Sequence, residues 1–426
     1  MRYVSVLLLC AFVLACGTVS NAAENWPQWR GPRLNGSSPE TSLPTEFGPE
    51  QNLAWKTSLQ GVGGSTPVVW GERVFLSGQD EQNRTWAICR SAADGSLLWR
   101  HRVGSGFDNR QGNTAASPSA VTNGRRVWFL FGTGELLCYT MDGEEVWSRN
   151  IQDRHGEWVY LWEFGASALL HDGKLYIAVL HGDHREKYTP QTESYLLCVD
   201  GETGEELWKH VRRTDAPYEA KQAYTTPLPF RHGGEMQILV GGADYVTAHS
   251  PADGAELWRS PTWNPRGIRT YRTICSPAVA EGVVLISRSR GKGLRAVRPG
   301  REDWAWEIEG PSPDVPTPLT YRGRFYVVTE DTARLRALDP QSGEVLGQCK
   351  LGGKSSFHPS PTGADGKIYC MNNGGTVFVA SATEDPKLLH RAELGGEDTF
   401  ASVAVAAGRL FVRTDNELFC FEKQEQ

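Results

Sequence analysis

The chain has 426 residues, a formal net charge of -6 and only 22% charged residues, a balance that gives no electrostatic case for a nucleic-acid partner. Its 15 tryptophans suit a large apolar interior built by aromatic docking. Length alone suggests two or three domains, but an internal repeat covers nearly everything from Asn52 onward and reduces the expectation to one.

Met1-Arg2 followed by the mostly apolar run Val4 to Ala15 has the form of a signal peptide, and the run is short for a bilayer span. Small residues at Ser20-Asn21-Ala22 or Asn21-Ala22-Ala23 suit cleavage, so residues 1–23 are read as a removed leader. A second reading makes Val13-Leu14-Ala15-Cys16 a lipid-attachment signal, with Leu14 a poor fit to it. Both readings export the chain, to the periplasm or beyond, and no later segment has the form of a transmembrane span. Residues 24–51 follow as an N-terminal extension.

From Asn52 one phrase recurs, fullest as Cys198-Val-Asp200-Gly201-Glu202-Thr203-Gly204-Glu205-Glu206-Leu207-Trp208: a small residue, an acidic turn, a glycine, then tryptophan. Cys89, Cys138, Ala248, Ala296, Ala337, Ala380 and Cys420 hold the place of Cys198, and Trp99, Trp147, Trp258 and, more loosely, Trp304 that of Trp208. A second marker runs in phase with it: Ser65-Thr66-Pro67, Ser117-Pro118, Ala166-Ser167-Ala168, Thr226-Pro227, Ser276-Pro277, Thr317-Pro318, Ser360-Pro361 and Ala401-Ser402-Val403. Each is followed by a glycine-bearing turn and an alternating apolar run, which makes four strands per unit and eight units. One unit cannot bury its own faces, so the expectation is an all-β, eight-bladed propeller over residues 52–426. The last unit lacks its fourth strand, and Asn52 to Leu59, with Trp55, looks like a spare one. The N-terminus is therefore expected to close the ring and remove the open sheet edges.

Exported chains invite a disulfide reading, but Cys89, Cys138, Cys198 and Cys420 share one register with alanines and read as small buried strand residues. A bridge among Cys275, Cys349 and Cys370 stays open.

The phrase ending in Trp208 resembles the tryptophan-docking repeat of eight-bladed propellers of the pyrroloquinoline-quinone (PQQ)-like superfamily, over about Asn52 to Gln426. The chain is also similar to the propeller subunit of the outer-membrane β-barrel assembly machinery, a non-enzymatic lipoprotein that binds partner proteins. Trp26-Pro27-Gln28-Trp29-Arg30-Gly31-Pro32 resembles the opening of secreted members of the superfamily. Quinone dehydrogenases of this superfamily clamp PQQ between a tryptophan and a vicinal disulfide, with calcium held by Glu, Asn and Asp. This sequence has no adjacent cysteine pair and no Cys-x-x-Cys-His haem site, so no cofactor, no metal and no catalytic residue is carried over.

Propeller geometry puts the acidic turns and tight turns on one thin face, and the long segments 104–114, 152–163, 181–194, 212–223 and 261–273 on the other. These loops hold Trp158, Tyr160, Trp162, Tyr218, Tyr224 and Trp263 with Arg213, Arg266, Arg269 and Arg272, residue types suited to an interface; the plain alternative is that they pack on one another over the mouth. His181, Asp183 and His184, with Glu186 and His155, are candidate metal ligands, though their spacing matches no closed site. Glu163, Glu219, Arg272, Asp314 and His358 precede the first strands of successive blades, so they are expected at the axial mouth, as a ligand-positioning set or a structural ion-pair ring. The leading functional reading is an exported, non-catalytic module that binds another envelope or extracellular protein or polymer through the loop-rich face. The rival is an enzyme or cofactor binder with its site in the mouth.

Overall fold

The computed structural model describes residues 25–107, 112–182, 193–330 and 332–424. Eight four-stranded antiparallel sheets form the eight blades of a propeller. The short helix Ile151–His155 and the 3-10 turns Tyr218–Lys221 and Ser289–Gly291 lie in connections between strands. The expected closure is present: Leu53–Ser58 pairs with the last strand, Glu417–Glu422, and sets Trp55 opposite Cys420. Buried apolar clusters fill the spaces between neighbouring blades, as with Val121, Leu136, Leu175 and Leu197 between the second and third. That burial, at roughly 25 cal/mol per Å² of apolar surface, is the main source of cohesion.

The repeat acts by contact between blades. In each tryptophan-bearing unit the small residue stands directly opposite the tryptophan: Cys89 with Trp99, Cys138 with Trp147, Cys198 with Trp208, Ala248 with Trp258. The ring then leans onto the turn glycine of the next blade and donates its Nε1–H to a turn carbonyl there, Trp55 to Ala92, Trp147 to Gly201, Trp208 to Pro251. Two sequence assignments need correction. In the fifth blade a bulge after Ala296 sets Trp306, not Trp304, opposite the small residue, and Trp306 is the one that docks, on Pro340 O. Trp258 has no such seat, since no ring lies against Gly300 of the next turn, and its Nε1 donates to Gln237 instead. All seven described cysteines are free thiols, Cys275, Cys349 and Cys370 included.

The serine and threonine marker has a function the spacing did not reveal. Backbone N–H groups at the start of each innermost strand donate to the hydroxyl of the next blade, in the order Thr66, Ser119, Ser167, Thr226, Ser276, Thr317, Ser360, Ser402 and back to Thr66. The eight bonds, 2.9 to 3.1 Å long, close a ring around the axis. Ser119, not Ser117, is the member from the second blade.

The N-terminal extension is part of the fold. It pairs with the turn-side ends of the innermost strands: Trp26 with Val69, Pro27 O with Thr122, the Gln28 amide with Leu170, and Gly36 and Ser38 with Gly363. Arg30 is fully buried beneath the axis, where it donates to the carbonyls of Pro318, Pro361 and Asn35. The strap thus crosses the thin face, closes that end of the channel, and leaves past Phe47, whose ring lies 4.8 Å from Phe421, to become the closing strand.

Candidate functional site

Above the strap, the described residues enclose an axial cavity of about 450 Å³, and a smaller one of about 190 Å³ beside Arg30 and Asn35 shares Trp29, Thr226 and Thr317 with it. Three layers build it. Trp29 of the strap is the floor, the hydroxyl ring is the lower wall, and Trp162, Tyr224 and Phe400 with Arg272, Asp314 and His358 form the mouth. Each ring hydroxyl already accepts one N–H, which leaves its own O–H free to turn.

Of the sequence-nominated mouth residues, Arg272 is central. Its guanidinium lies 3.5 Å from Glu219 Oε1 and 3.6 Å from Asp314 Oδ2, all three side chains largely buried. Asp314 is held in turn: its carboxylate accepts Arg290 N–H, and its own N–H donates to Glu330. Burial raises the Glu330 carboxyl to about 7. His358 stacks on Phe400, and Asn373 Nδ2 donates to its Nδ1, so the neutral ring carries its proton on Nε2. Burial lowers its pKa and favours that neutral form. Glu163 is half-buried, its carboxyl raised by burial, and its backbone carbonyl accepts from Asn113.

The loop aromatics divide. Trp158, Tyr224 and Trp263 are buried, and Trp158 Nε1 donates to Tyr195 Oη, so these rings pack within the loops. Tyr160 sits between Phe164 and Tyr224. Arg269 lies over the Tyr218 ring. Arg213 and Arg266 are exposed, Arg213 within 3.8 Å of Glu193.

Among the described residues the candidate metal ligands form no metal-holding cluster. His181 is buried, its Nδ1 accepting from Val159 N–H and its Nε2 facing Glu193 O, and burial pushes its pKa down to about 4. His155 is engaged with Glu206. Asp183, His184 and Glu186 lie outside the described residues. A calcium–quinone pair is a poor match for the mouth: its two nearest carboxylates clasp a guanidinium, which a divalent cation would oppose, and no cysteine lines the cavity.

The model of one protein family, described as outer membrane protein assembly factor BamB, matches residues 50–182, 242–346 and 331–425. No curated protein matches the sequence. Among solved structures, BamB from Moraxella catarrhalis aligns at 14% identity and a TM-score of 0.59, covering 86% of this chain and 98% of that one. A europium-containing methanol dehydrogenase aligns at 10% identity and 0.72, covering 94% and 98%. The quinohemoprotein alcohol dehydrogenase of Comamonas testosteroni aligns at 13% and 0.65, covering 94% and 81%. At such identities the structures establish the shared fold, while the family model spans most of the chain: this protein belongs to the BamB-type, PQQ-like propeller family.

Proposed function

We propose that the protein is an exported, non-catalytic binding module whose working surface is the loop-rich face, with the axial cavity at its centre. The observation that carries this reading is the asymmetry of the molecule: the strap crosses one end of the axis, while at the other the mouth residues Trp162, Tyr224, Arg272, Asp314 and His358 line a cavity, and the long loops also carry the exposed Arg213 and Arg266. Rigid blades position the loops and the ion pairs hold the mouth in shape, which lowers the ordering cost of binding. The carboxylates next to the cavity are engaged with Arg272 or Arg290, an arrangement that favours holding a ligand over moving its protons. The apolar leader-like run supports export.

The test is capture from an envelope extract on the immobilised full chain, wild type against the paired Arg213→Glu, Arg266→Glu variant, beside a dye-linked alcohol-oxidation assay after incubation with PQQ and calcium. Retention that the variant loses, without turnover, is the expected result. Quinone-dependent turnover, or capture indifferent to the loop face, overturns the reading.

A further inference from the structure

We propose that the axial cavity takes a neutral saccharide, seated on Trp29. This deepens the proposed function and rests on its placement of the binding site at the loop-rich mouth.

The floor is the first argument. Trp29 belongs to the strap, not to any blade, and is half-buried, so one part of the indole is held by the fold while another lines the cavity. Trp162, Tyr224 and Phe400 add aromatic surface around the same space. Aromatic surface of this kind around one cavity suits the C–H face of a pyranose ring.

The polar groups make the second argument. A saccharide presents hydroxyls that both donate and accept, and the cavity offers partners of both kinds. The ring hydroxyls have O–H groups free to turn, neutral His358 carries a proton on Nε2, and among the described residues Trp162 Nε1 and Arg272 Nε are buried without a partner. Asp314 supplies carboxylate oxygens beside them. Bidentate contact with vicinal hydroxyls from a carboxylate or a guanidinium needs this mixture.

Charge excludes the nearest competitor. An anion would need surplus positive charge at the cavity, yet Arg272, the arginine that lines it, stands between Glu219 and Asp314 and is compensated by both. The cavity volume of about 450 Å³ leaves room for one or two sugar residues, free or at the end of a glycan chain.

The test titrates the full chain with glucose, galactose, N-acetylglucosamine, maltose and cellobiose, and with glucuronate and galacturonate as anionic counterparts, by calorimetry and tryptophan fluorescence. At least one neutral sugar is expected to bind more tightly than its uronate and to change the fluorescence. Trp29→Ala should weaken that binding by roughly tenfold, about what one lost contact of 1.4 kcal/mol produces. Should that variant misfold, Asp314→Asn serves instead, and it should narrow the gap between neutral sugar and uronate, a change that loss of structure alone would not produce. A uronate preferred by the wild type overturns the saccharide class but leaves the cavity standing as a binding site. Binding unchanged in both variants places the sugar elsewhere and overturns the proposal. No binding of any probe, with capture still dependent on Arg213 and Arg266, overturns the saccharide while the loop-face reading survives.

Discussion

A single position, Trp306, shows what the repeat does and how the sequence can mislead. The spacing from the turn points to Trp304, but cross-strand pairing with Ala296 selects Trp306, whose ring covers Gly343 and bonds Pro340. Gly343 has φ +76, and a Cβ there would meet the Trp306 ring at 2.6 Å, so the glycine is required twice over. Trp306→Ala is expected to cost about 3–5 kcal/mol in denaturant unfolding, and Trp258→Ala less, because Trp258 lacks the glycine seat. Asp244 provides a pH test at the same scale. It is buried, with Oδ2 accepting from Asn264 and no partner for Oδ1 among the described residues, and burial raises its pKa to about 7, aided by Asp215 and opposed by Asn264 and Arg212. The folded carboxyl therefore keeps a proton that the unfolded chain releases near pH 4, roughly its ordinary value. Its contribution to stability is full below that pH and is lost as pH rises through about 7. Thermal unfolding at pH 5 and pH 8 should show Asp244→Asn gaining on the wild type as pH rises; a constant difference would refute the assignment.

The strands and their closure were legible because periodicity repeats, and eight copies in phase reduce the ambiguity of any one. The missing last strand and the spare Asn52 to Leu59 segment gave the ring closure for the same reason. The strap was not legible beyond its resemblance to other leaders' sequels. It carries no period, and its partners, among them Pro318, Pro361 and Gly363, are hundreds of residues away. The hydroxyl ring was half legible: serine and threonine stood out, but only the closed axis shows why a hydroxyl is needed at each step. Arg30 tests the strap. Its guanidinium, with pKa lowered to about 9 by burial, satisfies three carbonyls, so Arg30→Met should lower stability by at least about 1.5–3 kcal/mol in urea unfolding. Two truncations separate strap from closure. A chain beginning at Asn52 should fold with reduced stability, whereas one beginning at Gln60 exposes the edge of Glu417–Glu422 and should aggregate. Equal behaviour of the two would deny the closing strand its role.

At the scale of the molecule, a propeller has two faces, and here they differ in kind. The thin face is turns and strap, with its pairing satisfied by backbone bonds. The loop face carries the cavity, the Glu219–Arg272–Asp314 chain and the exposed loop arginines Arg213 and Arg266. Length distinguishes these loops from the tight turns in the sequence, but it does not tell which aromatics face inward, because burial of Trp158 and Trp263 depends on contacts that only the assembled mouth makes. On the proposed reading, the exposed Arg213 and Arg266 are the outward recognition elements, and they should act through long-range attraction that salt screens over about 8–10 Å. Arg213→Glu with Arg266→Glu is therefore expected to weaken capture of an envelope partner, most at low ionic strength, and to leave thermal unfolding unchanged, since both side chains are exposed. Glu144→Lys with Glu205→Lys, exposed on the opposite face, is the matched control and should leave capture intact. If the control pair abolishes capture while the rim pair does nothing, the long loops are only a lid over the axis, and the thin face is the one that meets the partner.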